Sequence, residues 1–200
     1  MIKKFILLIA ALVSAVGPAS SQTMKEVKKY NKEIQKQAEQ KAKELLKEGY
    51  KCEGLDDMVK LLGEHIHKVR FGYQELVGNG NASSISLARK EAMANALSDY
   101  STLLASSVAG GITTNEADLN GRLVEDIVSE FKTNVTSLMK GEVQESLVLK
   151  REGKKHYEFQ IFYIVDHETA HALHMRALNM ALDELELTEK YASKASTWLE

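Results

Sequence analysis

Apolar positions recur along this chain first at helical and later at strand spacing, and the change of period marks out the elements. In residues 22–48, which are dense in Lys, Glu and Gln, Val27, Tyr30, Ile34, Ala38, Ala42 and Leu45 fall three or four apart. That is a narrow apolar stripe on a polar helix, ended by Gly49. A shorter helix follows, with Leu55, Met58, Val59, Leu62 and Ile66 on one side. Residues 69–77 alternate, placing Phe71, Tyr73, Glu75 and Val77 on one face of a strand that Gly78-Asn79-Gly80-Asn81 should end. From Ser84 to Ala109 the period is helical again. Ala88, Ala92 and Ala96 form a ladder beside Leu97, Tyr100, Leu104 and Val108. Small side chains at that spacing let a helix lie close against a sheet. Gly110-Gly111 reads as its stop.

A further helix is predicted over Asn115 to Met139, burying Leu123, Ile127, Phe131 and Val135 with Val124, Val128 and Leu138, and closed by Lys140-Gly141. A hairpin comes next: Val143 to Lys150, a turn at Glu152-Gly153-Lys154, and Lys155 to Val165. In its second strand Tyr157, Phe159, Ile161, Tyr163 and Val165 share one face, yet Phe162 and Ile164 are apolar too, so both faces of the strand's end should be covered. From His167 to near Leu199 no Gly or Pro interrupts a last helix with Met175, Leu178, Leu182 and Leu185 on its apolar side. The order predicts an α+β fold: a small antiparallel sheet of about three strands covered by long helices, with a polar helix at the amino terminus.

The beginning of the chain changes where this fold is expected to work. Lys3 and Lys4 precede an apolar run from Phe5 to Val16, Gly17-Pro18 breaks it, and Ala19-Ser20-Ser21 supplies small residues for cleavage before Gln22. This is the pattern of a secretory signal, too short to span a bilayer comfortably. The expected organisation is a signal over 1–21, a helical segment over 22–68 and an α+β domain over 69–200, with no transmembrane helix after cleavage. An uncleaved anchor helix is the competing reading of the leader. Without Lys3 and Lys4 the chain carries 24 basic and 28 acidic residues, a net −4 with neutral histidines. That balance argues against a nucleic-acid partner, which calls for a basic face. The single cysteine, Cys52, allows no internal disulfide and is expected to be buried.

The stretch YQELVGNGNASSISLARKEAMANAL, a strand, a Gly-x-Gly turn and alanines at four-residue steps, resembles the small bacterial envelope-lipoprotein family named after a twenty-kilodalton lipoprotein. A similar domain occurs at the amino terminus of a flagellar outer-membrane-associated assembly protein. In that family the unit is followed by a helix and a hairpin like EVQESLVLKREGKKHYEFQIFYIVD, so the likeness covers about residues 70–170. AKELLKEGY upstream also looks like exported proteins that carry this domain. The resemblance implies a periplasmic or outer-membrane-associated, non-enzymatic role for a secreted member without a lipid anchor, because no cysteine stands near the cleavage site. It carries over no catalytic residues and implies no cofactor.

One motif points elsewhere. His167-Glu168-Thr169-Ala170-His171 is an H-E-x-x-H string, with His174 three residues on. On a helix its two imidazoles can share zinc, and Glu168 can activate the metal's water. His174 cannot complete that site: on one helix it lies roughly 10.5 Å along the axis from His167, against ligand bonds of about 2 Å. Glu184, Glu186 and Glu189 are read on the same uninterrupted helix, so a third ligand must come from His156, His65 or Glu75. Asp166 before the motif suits a helix cap, and Glu168 in the first turn suits the helix dipole. A zinc-dependent metallohydrolase is thus the alternative reading, with weak two-point metal binding at His167 and His171 beside it.

Other signals are weaker. Gly78-x-Gly80-x-x-Ser83 before a helix is an imperfect phosphate cradle, and reads more simply as a turn with glycines at positive φ and Ser83 or Ser84 as the cap. Nothing orients Cys52 toward His65 or His67, which lie two apart and face different ways on a helix. Asn81-Ala-Ser83 and Asn134-Val-Thr136 are sequons that matter only in a eukaryotic host. The expectation is a binding or structural protein of the envelope, meeting an envelope protein or a second copy of itself. The residue 22–48 helix, or a groove between it and the sheet, would be the contact surface, and contact with a membrane surface is a further option. Lys25, Lys28, Lys29, Lys32 and Lys36 are read as a solvated basic end of that helix.

Overall fold

The computed structural model describes residues 24–54, 57–116, 119–153 and 155–199. The predicted signal and Leu55 lie outside them. The chain is α+β, as expected. The elements are α1 (Met24–Lys47), β1 (Lys51–Cys52), α2 (Met58–Arg70), β2 (Tyr73–Ala82), α3 (Ile85–Asn115), α4 (Gly121–Met139), β3 (Gln144–Glu152), β4 (Tyr157–Asp166), α5 (His167–Glu184) and α6 (Thr188–Tyr191), then a 3-10 turn at Ala195–Trp198. From Ile34 onward the described residues form one compact unit; those before it belong to a separate one.

The sheet is antiparallel in the order β1-β3-β4-β2. It has one strand more than expected, because β1 is two residues long and too short to show a period. Every residue from Ile161 to Val165 is buried, so both faces of the β4 end are covered, as its continuous apolar run predicts. On one face Phe159, Ile161, Tyr163 and Val165 pack with α3, α4 and α5 around Phe131, Ile127 and Leu178. On the other, Leu147, Leu149 and Phe162 pack with Ala38, Ala42 and Leu45 of α1 and Met58 and Leu62 of α2. The α1 stripe is buried from Ile34 to Leu45, while Lys29, Lys32 and Lys36 are exposed.

Several boundaries differ from expectation. The first strand runs over 73–82 instead of 69–77, since α2 continues to Arg70 and Gly72 (φ +128°) makes the turn. Gly78 and Gly80 therefore end nothing and do not have positive φ; they sit inside β2. A Cβ on Gly78 would stand 1.9 Å from the Ala92 carbonyl oxygen, and one on Gly80 1.8 Å from that of Ala88. Glycine in the strand and alanine in the helix together let α3 approach the sheet backbone. Likewise α3 runs through Gly110-Gly111 to Asn115, and α4 starts at Gly121 rather than 115. A Cβ on Gly111 would meet the Trp198 backbone at 2.6 Å, so this glycine admits the carboxy-terminal turn. The last helix breaks at Leu185–Leu187, where Glu186 takes φ +59°, without any Gly or Pro.

The edge strand β2 is guarded by α3. Asn95 Nδ2 donates to the Asn79 carbonyl at 2.7 Å, and the Asn81 N–H donates to Glu91 Oε2 at 2.9 Å. Side chains one helical turn apart thus occupy backbone groups that would otherwise invite another strand.

Candidate functional site

The face formed by α1 and α2 carries an open groove of about 420 Å³, lined by Glu39, Ala42, Lys43, Leu46, Lys47 and Val59. Its origin is the spacing of the α1 stripe. Ala42 and Leu45 point inward, so Leu46, one residue on, is turned away from the core and is 57% exposed. Lys43 and Lys47, one turn apart, flank it, and Glu39 lies a turn before Lys43.

Beneath α2 lies a polar network in an otherwise apolar layer. His65 is 3% exposed and sits over β4, its ring edge-on to Phe162 with centroids 5.3 Å apart. Its Nδ1 is 2.9 Å from Ser146 Oγ on β3, and its Nε2 is 2.5 Å from Glu75 Oε1 on β2. One partner therefore comes from each strand flanking β4. Ser146 lies where the β3–β4 register shifts between Glu145 and Leu147, a bulge that re-aims its side chain. In the sequence His65 stands out as a candidate third ligand or a partner for Cys52, and Glu75 as a candidate third ligand, while nothing marks Ser146. The contact spans 81 residues, and the bulge that makes it leaves no mark on the period of the strand. His67, two residues on, is exposed and stacks near Phe71, as the opposed directions predict. Cys52 is buried in the same layer as Phe162, and both ring nitrogens of His65 are already engaged by Ser146 and Glu75.

The H-E-x-x-H segment is the start of α5. Asp166 is its cap, accepting from the Glu168 and Thr169 N–H groups at 3.0 Å each, and these bonds hold the Asp166 carboxyl below the usual range. Glu168 and His171 are exposed and His167 half-buried. His174 is 6% exposed and turns into the core, where its Nε2 is 2.9 Å from Tyr100 Oη. The Tyr100 hydroxyl in turn donates to Gln74 Oε1. Burial, with the charge of His171 adding to it, pushes His174 down to about 4, and burial pushes Tyr100 up. His156 is paired with Glu158, and His65 with Glu75, so the three residues named as third ligands are held by other partners. The break after Glu184 was not foreseen, yet no group of three His, Cys, Asp or Glu among the described residues is placed to hold a metal ion.

The phosphate-cradle reading of Gly78 and Gly80 is corrected by their burial within β2 beneath α3; Ser84, not Ser83, caps that helix. Asn134 is buried on α4, which removes it as a glycan acceptor in the folded chain, whereas Asn81 is exposed.

Fold and site together define an α+β domain in which a four-stranded sheet carries helices on both faces, with an apolar groove and a buried histidine network on the α1–α2 side. No family model, curated protein or solved structure matches the chain.

Proposed function

We propose that this chain is a secreted, envelope-associated binding or structural protein that needs no catalysis for that role and docks a partner in the α1–α2 groove. The single observation that carries the reading is Leu46, held exposed over Ala42 and Val59 and flanked by Lys43 and Lys47. An apolar floor with two cations on one rim suits a protein segment presenting an aliphatic or aromatic side chain beside a carboxylate. The small footprint fits a transient rather than an obligate contact. The secretory pattern of the leader and the resemblance to the envelope-lipoprotein family support the location. None of the described helices is long and apolar enough to cross a membrane.

The test is fractionation of the full-length chain in a Gram-negative host. Leu46→Glu and Lys43→Glu should release it from the envelope fraction while leaving its melting temperature unchanged, because both side chains are exposed. If both variants fractionate like the wild type, the groove is not the docking surface.

A further inference from the structure

The network beneath α2 has the parts of a nucleophilic centre, and we propose that Ser146, His65 and Glu75 form a serine esterase site, a function independent of the groove. Three observations carry it. The order of contacts is nucleophile, base and orienting carboxylate: Ser146 Oγ to His65 Nδ1 at 2.9 Å, and His65 Nε2 to Glu75 Oε1 at 2.5 Å. The nucleophile is not sealed in. Ser146 is half-buried, Glu75 is 15% exposed, and His65 lies deepest between them. Finally, each group is fixed by a different element: His65 by α2 against Phe162, Glu75 by β2, and Ser146 by the bulge in β3. β1 pairs with β3 only at Leu149 and Lys150, with one further bond from the Glu53 N–H to the Val148 carbonyl. These bonds stop short of Ser146.

A carboxylate on Nε2 selects the tautomer with its proton there, which leaves the Nδ1 lone pair facing the serine hydroxyl. In the reaction Ser146 Oγ bonds to the acyl carbon of an ester and its proton passes to His65 Nδ1. Glu75 holds the resulting imidazolium. The bond from the acyl carbon to the alkoxy oxygen then breaks, and the leaving alcohol takes the proton from Nδ1. Water next attacks the acyl-serine, gives a proton to Nδ1, and the acid departs as Ser146 Oγ recovers that proton. One ester and one water become one acid and one alcohol. Because Ser146 is half-buried, and Leu147 and Phe162 lie in the same layer, the substrate class is a small ester with an apolar acyl group. Ser146 and His65 are the catalytic residues, and Glu75 is a positioning residue.

The test uses the full chain, a fluorophosphonate probe and p-nitrophenyl acetate. Intact-mass and peptide analysis should find one phosphonyl adduct, on Ser146, absent in Ser146→Ala. Acetate release should fall about 100-fold or more in that variant, which removes a single oxygen from a half-buried site. Glu75→Gln should slow labelling and shift its pH profile, a change that loss of a purely structural contact would not make. No adduct on the folded wild type, an adduct on another residue, or one that persists in Ser146→Ala overturns the proposal. If Glu75→Gln fails to fold, the Ser146→Ala comparison still decides it.

Discussion

Protonating His174 should destabilise this protein across a defined pH window, and the buried hydrogen-bond chain sets both the sign and the size. In the folded state Tyr100 Oη gives its proton to Gln74, so it meets His174 Nε2 as an acceptor, and the neutral ring with its proton on Nε2 satisfies that contact. A second proton adds a charge in a site only 6% exposed, with the cationic form of His171 nearby on the same helix. The folded-state pKa is accordingly depressed to about 4 from an ordinary 6.5. A depressed histidine binds protons more readily in the unfolded chain. Its contribution is therefore intact above the unfolded value and is lost as pH falls toward the folded one. Linkage over that interval gives a loss of about 2 kcal/mol between roughly pH 7 and pH 5, growing to about 3 kcal/mol near pH 4. Urea unfolding followed by circular dichroism at several pH values measures it, read as the difference in slope between wild type and His174→Gln. The difference cancels every other titrating group, and a general loss of stability in the variant changes the offset rather than the slope. Parallel curves over this window would refute the reasoning.

Two glycines should respond to alanine with opposite signs. Gly78→Ala forces a Cβ to within 1.9 Å of the Ala92 carbonyl and should cost roughly 3 kcal/mol as α3 is pushed off the sheet. Gly110→Ala, in mid-helix with nothing within 4 Å, should gain about 0.5–1 kcal/mol; chemical denaturation checks both. Asp166→Ala removes the acceptor for two N–H groups at the start of α5 and should lower the melting temperature by roughly 2–4 °C, with Asp166→Asn recovering most of it in the same calorimetric scan. Dialysis against a chelator should leave the melting temperature unchanged, since no set of three ligands among the described residues converges on a metal.

The element types and their order are visible in the residues because they rest on local period. The Ala88-Ala92-Ala96 ladder, the Ile127-Phe131-Val135 face and the continuous apolar end of β4 are all buried as their spacing predicts. Asp166 was legible as a cap because capping is decided within three residues. The glycines misled for the same local reason. Gly78-x-Gly80 and Gly110-Gly111 carry the composition of a turn and a stop, but their conformation answers to a helix and a carboxy-terminal segment packed on them. The break at Leu185 has no glycine or proline to announce it. There the chain turns back so that Tyr191, Ala195 and Trp198 can enter the core beneath α3.

The chemistry divides along the same line. His167, Glu168 and His171 stood out because they are close in sequence, and closeness in sequence is all that a motif records. Ser146, His65 and Glu75 were invisible as a set because β3, α2 and β2 meet only once the sheet is assembled in the order β1-β3-β4-β2 and α2 lies across it. The sequence alone determined an α+β chain with a polar amino-terminal helix, an alanine-faced long helix and a hairpin with one strand covered on both sides, since hydrophobic period is a property of neighbouring residues. Tertiary structure alone decided which glycines lie under a helix, which histidine faces the core, and which serine meets a base, because each depends on atoms brought together from distant parts of the chain.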